Sequence, residues 1–251
     1  MYFKTTIKAG KTIEVYKSFV KRTGVVERGD RKKLTPEEMD RINQLNAERK
    51  LRLKINANFK KGDPFITLTY RKELRPTIEK AKQDIKKFIK GLRKHYKKQG
   101  GELKYIIVTE YENKAIHHHI IINDIENIAK VVCELWIYGR PDFKYLDGTG
   151  QYKDLAAYLI KETSKTYKKN KAEGKGNKQR YSCSRNLVMP KAKTTEVKAN
   201  KWTADPKAIK GYYVDQDTII NGVDPFTGRE YQRYTLVEIG EVAYNPFEET
   251  G

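Results

Sequence analysis

The sequence predicts an α+β fold, a central antiparallel sheet of about five strands with helices packed on it, followed by a small strand-containing C-terminal extension. Three observations carry this expectation. Residues 64–70 (PFITLTY) alternate with period two and are rich in β-branched and aromatic side chains. Residues 77–98 repeat apolar side chains at helical spacing. Residues 103–110 (LKYIIVTE) and 116–123 (IHHHIIIN) follow one another across a short polar loop, as the arms of a hairpin do.

Taken in order, residues 12–20, with Ile13, Val15 and Tyr16, read as a strand, and a charged turn follows around Gly29-Asp30. Thr35 is placed as the N-cap of a helix, with Pro36 in its first turn and Glu38 completing a capping box, and that helix should run into Asn58-Phe59. In the strand 64–70, Ile66, Leu68 and Tyr70 share one face and Phe65, Thr67 and Thr69 the other. Over 77–98, Ile78, Ala81, Ile85, Phe88, Ile89, Leu92 and Tyr96 form the apolar stripe, and Lys82, Lys86, Lys90, Arg93, Lys94 and Lys97 take other positions. Two further helices are expected at 125–136 and 151–163, with a short strand at 143–146 between them. Residues 165–180 (KTYKKNKAEGKGNKQR) read as a basic connector or a loop ordered by nucleic acid. The expected organisation is therefore an N-terminal strand and helix over 1–60, a core over 61–165, a basic linker over 166–180 and an extension over 181–251.

Composition narrows the function classes. Among 251 residues, 52 Lys+Arg stand against 32 Asp+Glu, a formal charge of +20 that suits a polyanion such as nucleic acid. The two cysteines, Cys133 and Cys183, are far apart and form no Cys-x-x-Cys pair, so neither a disulfide framework nor a cysteine zinc site is indicated, and a reducing cytoplasmic setting is expected. No stretch approaches the roughly 20 apolar residues that span a bilayer, so no membrane partner is expected. Gly10-Lys11-Thr12 ends like a phosphate-binding loop, but Thr5 stands where its first glycine would fall, so no ATPase is indicated.

The chemistry concentrates in two places. Three of the four histidines are consecutive, and strand alternation puts His117 and His119 on one face with His118 on the other, where the packed side should accept leucine instead. Glu110, at the end of the preceding strand, and Glu112, in the joining loop, both lie within reach across the hairpin. Two neutral imidazoles and a carboxylate with open positions form a divalent-cation site of the kind that polarises a phosphate. The second place is Tyr158-Leu159-Ile160-Lys161, where a tyrosine and a lysine three apart share a helix face. A phenol, with a pKa of about 10, is a weak nucleophile unless a cation or metal favours its anion. A Tyr-x-x-Lys spacing alone is common and more often structural.

The run Phe65 to Tyr70, the run His117-His118-His119 preceded seven residues earlier by Glu110, and Tyr158-Leu159-Ile160-Lys161 together resemble motifs I, II and III of single-tyrosine HUH rolling-circle replication initiators of bacterial phages, plasmids and mobile elements. The likeness covers roughly residues 50–165, and the histidine pair precedes the tyrosine as in initiators. Asn56-Ala57-Asn58-Phe59 and Ser184-Arg185-Asn186-Leu187 are also similar to stretches in initiator-like proteins. The resemblance implies the HUH endonuclease fold, with Glu110, His117 and His119 as ligands of Mg²⁺ or Mn²⁺, Tyr158 as nucleophile and Lys161 assisting. Glu110 is preferred to Glu112 on motif spacing. It implies nicking of single-stranded DNA at an origin hairpin, a 5'-phosphotyrosine link and a free 3'-hydroxyl that primes synthesis, with unwinding left to a partner such as a host helicase.

Basic residues over 77–98 and 165–180 are expected to hold the DNA backbone, and Tyr167 or Tyr181 to stack on bases. The sequence departs from the family pattern in having His118 where a hydrophobic residue is usual, and in spacing Tyr152 six rather than four residues before Tyr158. A single-tyrosine HUH transposase would use the same residues, and a DNA-binding protein with a decayed site is the non-catalytic alternative.

Overall fold

The computed structural model describes residues 1–19, 35–111, 115–172, 180–224 and 228–240. In chain order its elements are β1 (Tyr2–Ala9), β2 (Thr12–Ser18), α1 (Pro36–Asn58), β3 (Pro64–Leu68), α2 (Ile78–Lys98), β4 (Tyr105–Glu110), β5 (His117–Ile122), α3 (Ile128–Leu135), β6 (Pro141–Tyr145), α4 (Lys153–Ala172), β7 (Ser182–Cys183), β8 (Ala192–Val197), β9 (Tyr212–Val223) and β10 (Glu230–Glu238). Among the described residues, then, four α-helices accompany two five-stranded antiparallel sheets, an α+β fold. No helix among them is long and apolar enough to cross a membrane. The chain divides into two compact units, one of Met1–Met39, Gly148–Gln151 and Pro190–Gly251, the other of Asp40–Asp147 and Tyr152–Met189.

The first unit is built on the sheet β8-β1-β2-β10-β9. Gly10-Lys11 turns the β1–β2 hairpin: Gly10 has φ 56°, and the Thr12 hydroxyl donates to the Ala9 carbonyl at 2.8 Å. The Gly-Lys-Thr run is therefore turn chemistry. Val15, Val214, Tyr234 and Leu236 form the buried core of this sheet, with Ile13 packed against them. Beside them Lys17 is buried, its ammonium donating to Gln232 Oε1 at 2.8 Å, and burial holds its pKa below the usual lysine range. The Thr35 capping box forms as expected, with the Glu38 N–H donating to Thr35 Oγ1 at 3.2 Å and the Thr35 N–H to Glu38 Oε2 at 2.8 Å.

The second unit holds the sheet β6-β3-β5-β4-β7 between two helical layers. On one face Ala81, Phe88, Ile89, Leu92 and Tyr96 of α2, with Val131 and Val132 of α3, cover Ile66, Leu68, Ile107, Ile120 and Ile122. The Thr77 side chain caps α2. Gly91 lets α3 come close, since a Cβ there would stand 2.8 Å from Leu135 Cδ2. On the other face Leu51 and Ile55 of α1 and Ala156, Leu159 and Ile160 of α4 cover Ile106, Val108 and Ile121.

Two helix boundaries differ from those expected at 125–136 and 151–163. The first helix starts only at Ile128, because Asn127 takes a left-handed conformation (φ 58°) that no helix continues through. The second begins at Lys153 and extends to Ala172, into the stretch expected to be a connector. Nothing before Gly174 breaks a helix there, and lysine, glutamate and alanine all favour one. Residues 173–179 of that stretch, like Glu112 and the turn at Gly29-Asp30, lie outside the described residues.

Candidate active site

The second unit gathers the chemistry on the sheet face that carries α1 and α4. Antiparallel register sets Glu110, the last residue of β4, directly opposite His117, the first of β5. His119 lies two residues on, on the same face, and Thr67 of β3 stands opposite it. Each of Glu110, His117 and His119 offers a ligand atom, and the three atoms lie within 4.8 Å of one another. His117 Nε2 is 2.9 Å from Glu110 Oε2, and the two imidazole rings are 4.9 Å apart and nearly perpendicular.

The imidazoles are oriented from behind. His117 Nδ1 bonds the Ala115 carbonyl at 2.9 Å, and His119 Nδ1 bonds Thr67 Oγ1 at 3.1 Å. Phe65 stacks on the His119 ring. With each Nδ1 held, it is the Nε2 atoms that turn toward Glu110 and Tyr158, the arrangement by which outer-shell partners fix ligand histidines. Two nitrogens and a carboxylate oxygen so disposed are a donor set that fits a divalent cation.

His118 points the opposite way and is fully buried beside Tyr70 and Trp136. Its Nε2 shares a hydrogen bond with Tyr70 Oη at 3.1 Å and its Nδ1 one with Thr109 Oγ1 at 2.8 Å. Burial, with His117 and His119 adding, pushes its pKa down to about 3. A neutral ring donates through one nitrogen and accepts through the other, so both partners are served. The expectation that leucine would be accepted there is therefore corrected, since it would leave the buried Tyr70 hydroxyl and the half-buried Thr109 hydroxyl to find other partners.

Tyr152, just ahead of α4, and Tyr158 within it are sharply different. Tyr158 is 41% exposed and its hydroxyl lies 3.2 Å from His119 Nε2. Tyr152 is buried, donates its hydroxyl to the Asp147 carbonyl at 3.0 Å, and has its pKa pushed up to about 12 by that burial. Lys161 is exposed one turn beyond Tyr158 on the same helix.

The residues expected to hold DNA fall on different parts of this unit. Helix α2 covers the face of the sheet opposite His117 and His119, so its lysines do not flank Tyr158. Tyr181 packs against the cluster under α1 and α4, with Lys54 Nζ 5.1 Å from its ring centroid. Asn56 accepts the Tyr152 N–H at 3.1 Å, just ahead of α4, and Asn58 exchanges two hydrogen bonds with the Val188 backbone, both at 2.8 Å. Ser184 is bonded twice to the Tyr105 backbone. These initiator-like stretches thus carry structural bonds here. Sequence reasoning overlooked Thr67 as the residue that aims His119. Strand parity had put Thr67 on the face of 64–70 away from Ile66 and Leu68, but only the register between β3 and β5 brings it to His119.

Comparison with known proteins concerns this same unit. No curated protein and no solved structure gives a significant match. Residues 63–167 match the family of the replication-associated protein ORF2, a span that contains Thr67, Glu110, His117, His119, Tyr158 and Lys161. The candidate His-x-His metal group lies within the matched residues, so this domain is similar to the replication-associated protein ORF2 family of phage rolling-circle Rep proteins.

Proposed function

We propose that the protein nicks and rejoins single-stranded DNA, with residues 61–165 as the catalytic core and Tyr158 as the nucleophile. One observation carries this reading: the Tyr158 hydroxyl lies 3.2 Å from His119 Nε2, beside the group formed with His117 and Glu110. A tyrosine placed only for packing would turn inward as Tyr152 does; Tyr158 instead keeps its hydroxyl at the candidate ligands while remaining open to solvent.

Glu110, His117 and His119 would hold the cation, and Mg²⁺ or Mn²⁺ bound there supplies a Lewis acid for the scissile phosphate. Tyr158 gives up its proton to water and its oxygen bonds to phosphorus. The bond from phosphorus to the 3' oxygen breaks, its electron pair goes to that oxygen, and the oxygen takes a proton to become a 3'-hydroxyl. The protein remains on the 5' phosphate. Thr67 and the Ala115 carbonyl keep the imidazoles aimed throughout, and Lys161 contributes positive charge near the phosphate. The freed hydroxyl would prime rolling-circle synthesis at an origin, in keeping with the replication-associated family.

The test incubates the full chain with a pool of random single-stranded oligonucleotides and Mn²⁺, then looks for a denaturant-resistant protein–DNA band. A band that depends on Mn²⁺ and disappears in Tyr158→Phe supports the reading. DNA binding with no covalent product would make this a binding protein instead.

A further inference from the structure

Helix α2 lies against the sheet face opposite the candidate active site and exposes Lys82, Lys86, Lys90 and Lys94. They step four residues at a time, about 6 Å along the helix axis. Like charges at that spacing repel and work against the helix. Among the described residues no carboxylate pairs with any of the four: the acidic residues of α2 are Glu79 and Asp84, and Asp84 is buried and bonded to Lys80 at 2.9 Å. On a helix face that is merely solvated, both signs usually interleave. Here the apolar stripe holds the helix in place while its outer side accumulates one sign, and a polyanion along the row would relieve the repulsion.

The composition of that side selects among polyanions. Phe88 and Tyr96, the aromatic residues of α2, are buried in the core, so the row offers no platform on which unpaired bases would stack. The row winds about 40° around the helix at each step, and its ammonium groups engage phosphates and do not read bases. The row from Lys82 to Lys94 spans about 18 Å, and duplex DNA, with one charge for about every 1.7 Å of axis, offers more than enough phosphates over that length for each ammonium to meet one.

We infer that α2 docks duplex DNA on the side of its unit away from Tyr158. The protein then holds a duplex segment there while a single strand occupies the metal group; the second half of this picture rests on the proposed function, the docking does not.

The test measures affinity of the full chain for a 20-base-pair blunt duplex as a function of salt, with Lys82, Lys86, Lys90 and Lys94 replaced together by Gln, and separately by Arg. Both residues favour helix. The Gln variant should lose about 3 to 4 from the log–log salt slope, at about 0.9 per phosphate contact, and the Arg variant should keep it. Tyr158→Phe should bind the duplex as wild type does, so a failed covalent assay leaves this result standing. An unchanged slope in the Gln variant overturns the inference, and so does an Arg variant that behaves like Gln.

Discussion

The Tyr158 hydroxyl and His119 Nε2 lie 3.2 Å apart, so the proposed nucleophile touches a candidate metal ligand directly. Tyr158→Phe removes only that hydroxyl from a partly exposed ring, and stability should stay within about 0.5 kcal/mol of wild type. Tyr152→Phe instead removes a buried bond to the Asp147 carbonyl and should cost about 1 kcal/mol. Denaturant melts paired with the covalent-adduct gel should show opposite patterns: a stable, inactive Tyr158 variant and a weakened, active Tyr152 variant. An adduct that survives in Tyr158→Phe would refute the assignment.

Thr67 Oγ1 holds His119 Nδ1 at 3.1 Å, which makes it the residue to change without touching a ligand. Thr67→Val keeps the shape and loses the hydroxyl, and Mn²⁺ affinity should fall roughly 10- to 100-fold by calorimetry. Thr67→Ser should bind as wild type. Equal affinity in the valine variant would mean that His119 needs no support from β3.

How far the site could be read ahead of the fold depends on which contacts are local. Strand parity alone separates His117 and His119 from His118, and the hairpin brings Glu110 within reach, so the candidate ligand group was legible. The partnership of Thr67 with His119 was not, because it depends on the register between β3 and β5, set by the pairing of segments 52 residues apart. The burial of α2 on the far face escaped for a related reason: an amphipathic stripe says that a helix packs, and not on which side of a sheet. In the other unit, β2 pairs with β10 across nearly the whole chain, and β1, whose lysines interrupt its apolar pattern, gave no strand signal of its own.

His118 should prove structural. His118→Leu leaves the buried Tyr70 hydroxyl and the half-buried Thr109 hydroxyl without their present bonds, a loss of about 1–3 kcal/mol. Adding Tyr70→Phe removes one of the stranded hydroxyls and should recover part of that loss. Chemical denaturation of the two variants decides the matter, and a double variant no more stable than His118→Leu would show that the Tyr70 bond contributes nothing.

The lysines of α4 should divide into two classes according to their distance from Tyr158. Lys161 is one turn away, while Lys168, Lys169 and Lys171 lie 10 to 13 residues from Tyr158 along a helix that continues to Ala172, or about 15–20 Å at 1.5 Å per residue. A charge near the phosphate can steady the charge that develops as the phenol attacks, and one that distant can act only on the DNA backbone. Lys161→Gln should therefore slow adduct formation at saturating DNA, by about 10-fold or more, with little change in affinity or Mn²⁺ binding. Neutralising Lys168, Lys169 and Lys171 together should do the reverse, lowering the salt slope for single-stranded DNA by about 2, at about 0.7 per phosphate, while the rate at saturation holds. Single-turnover kinetics and anisotropy titrations on the same oligonucleotide pool separate the two effects. A Lys161 variant that loses affinity but keeps its rate would move that lysine out of the chemistry and into the backbone-holding class.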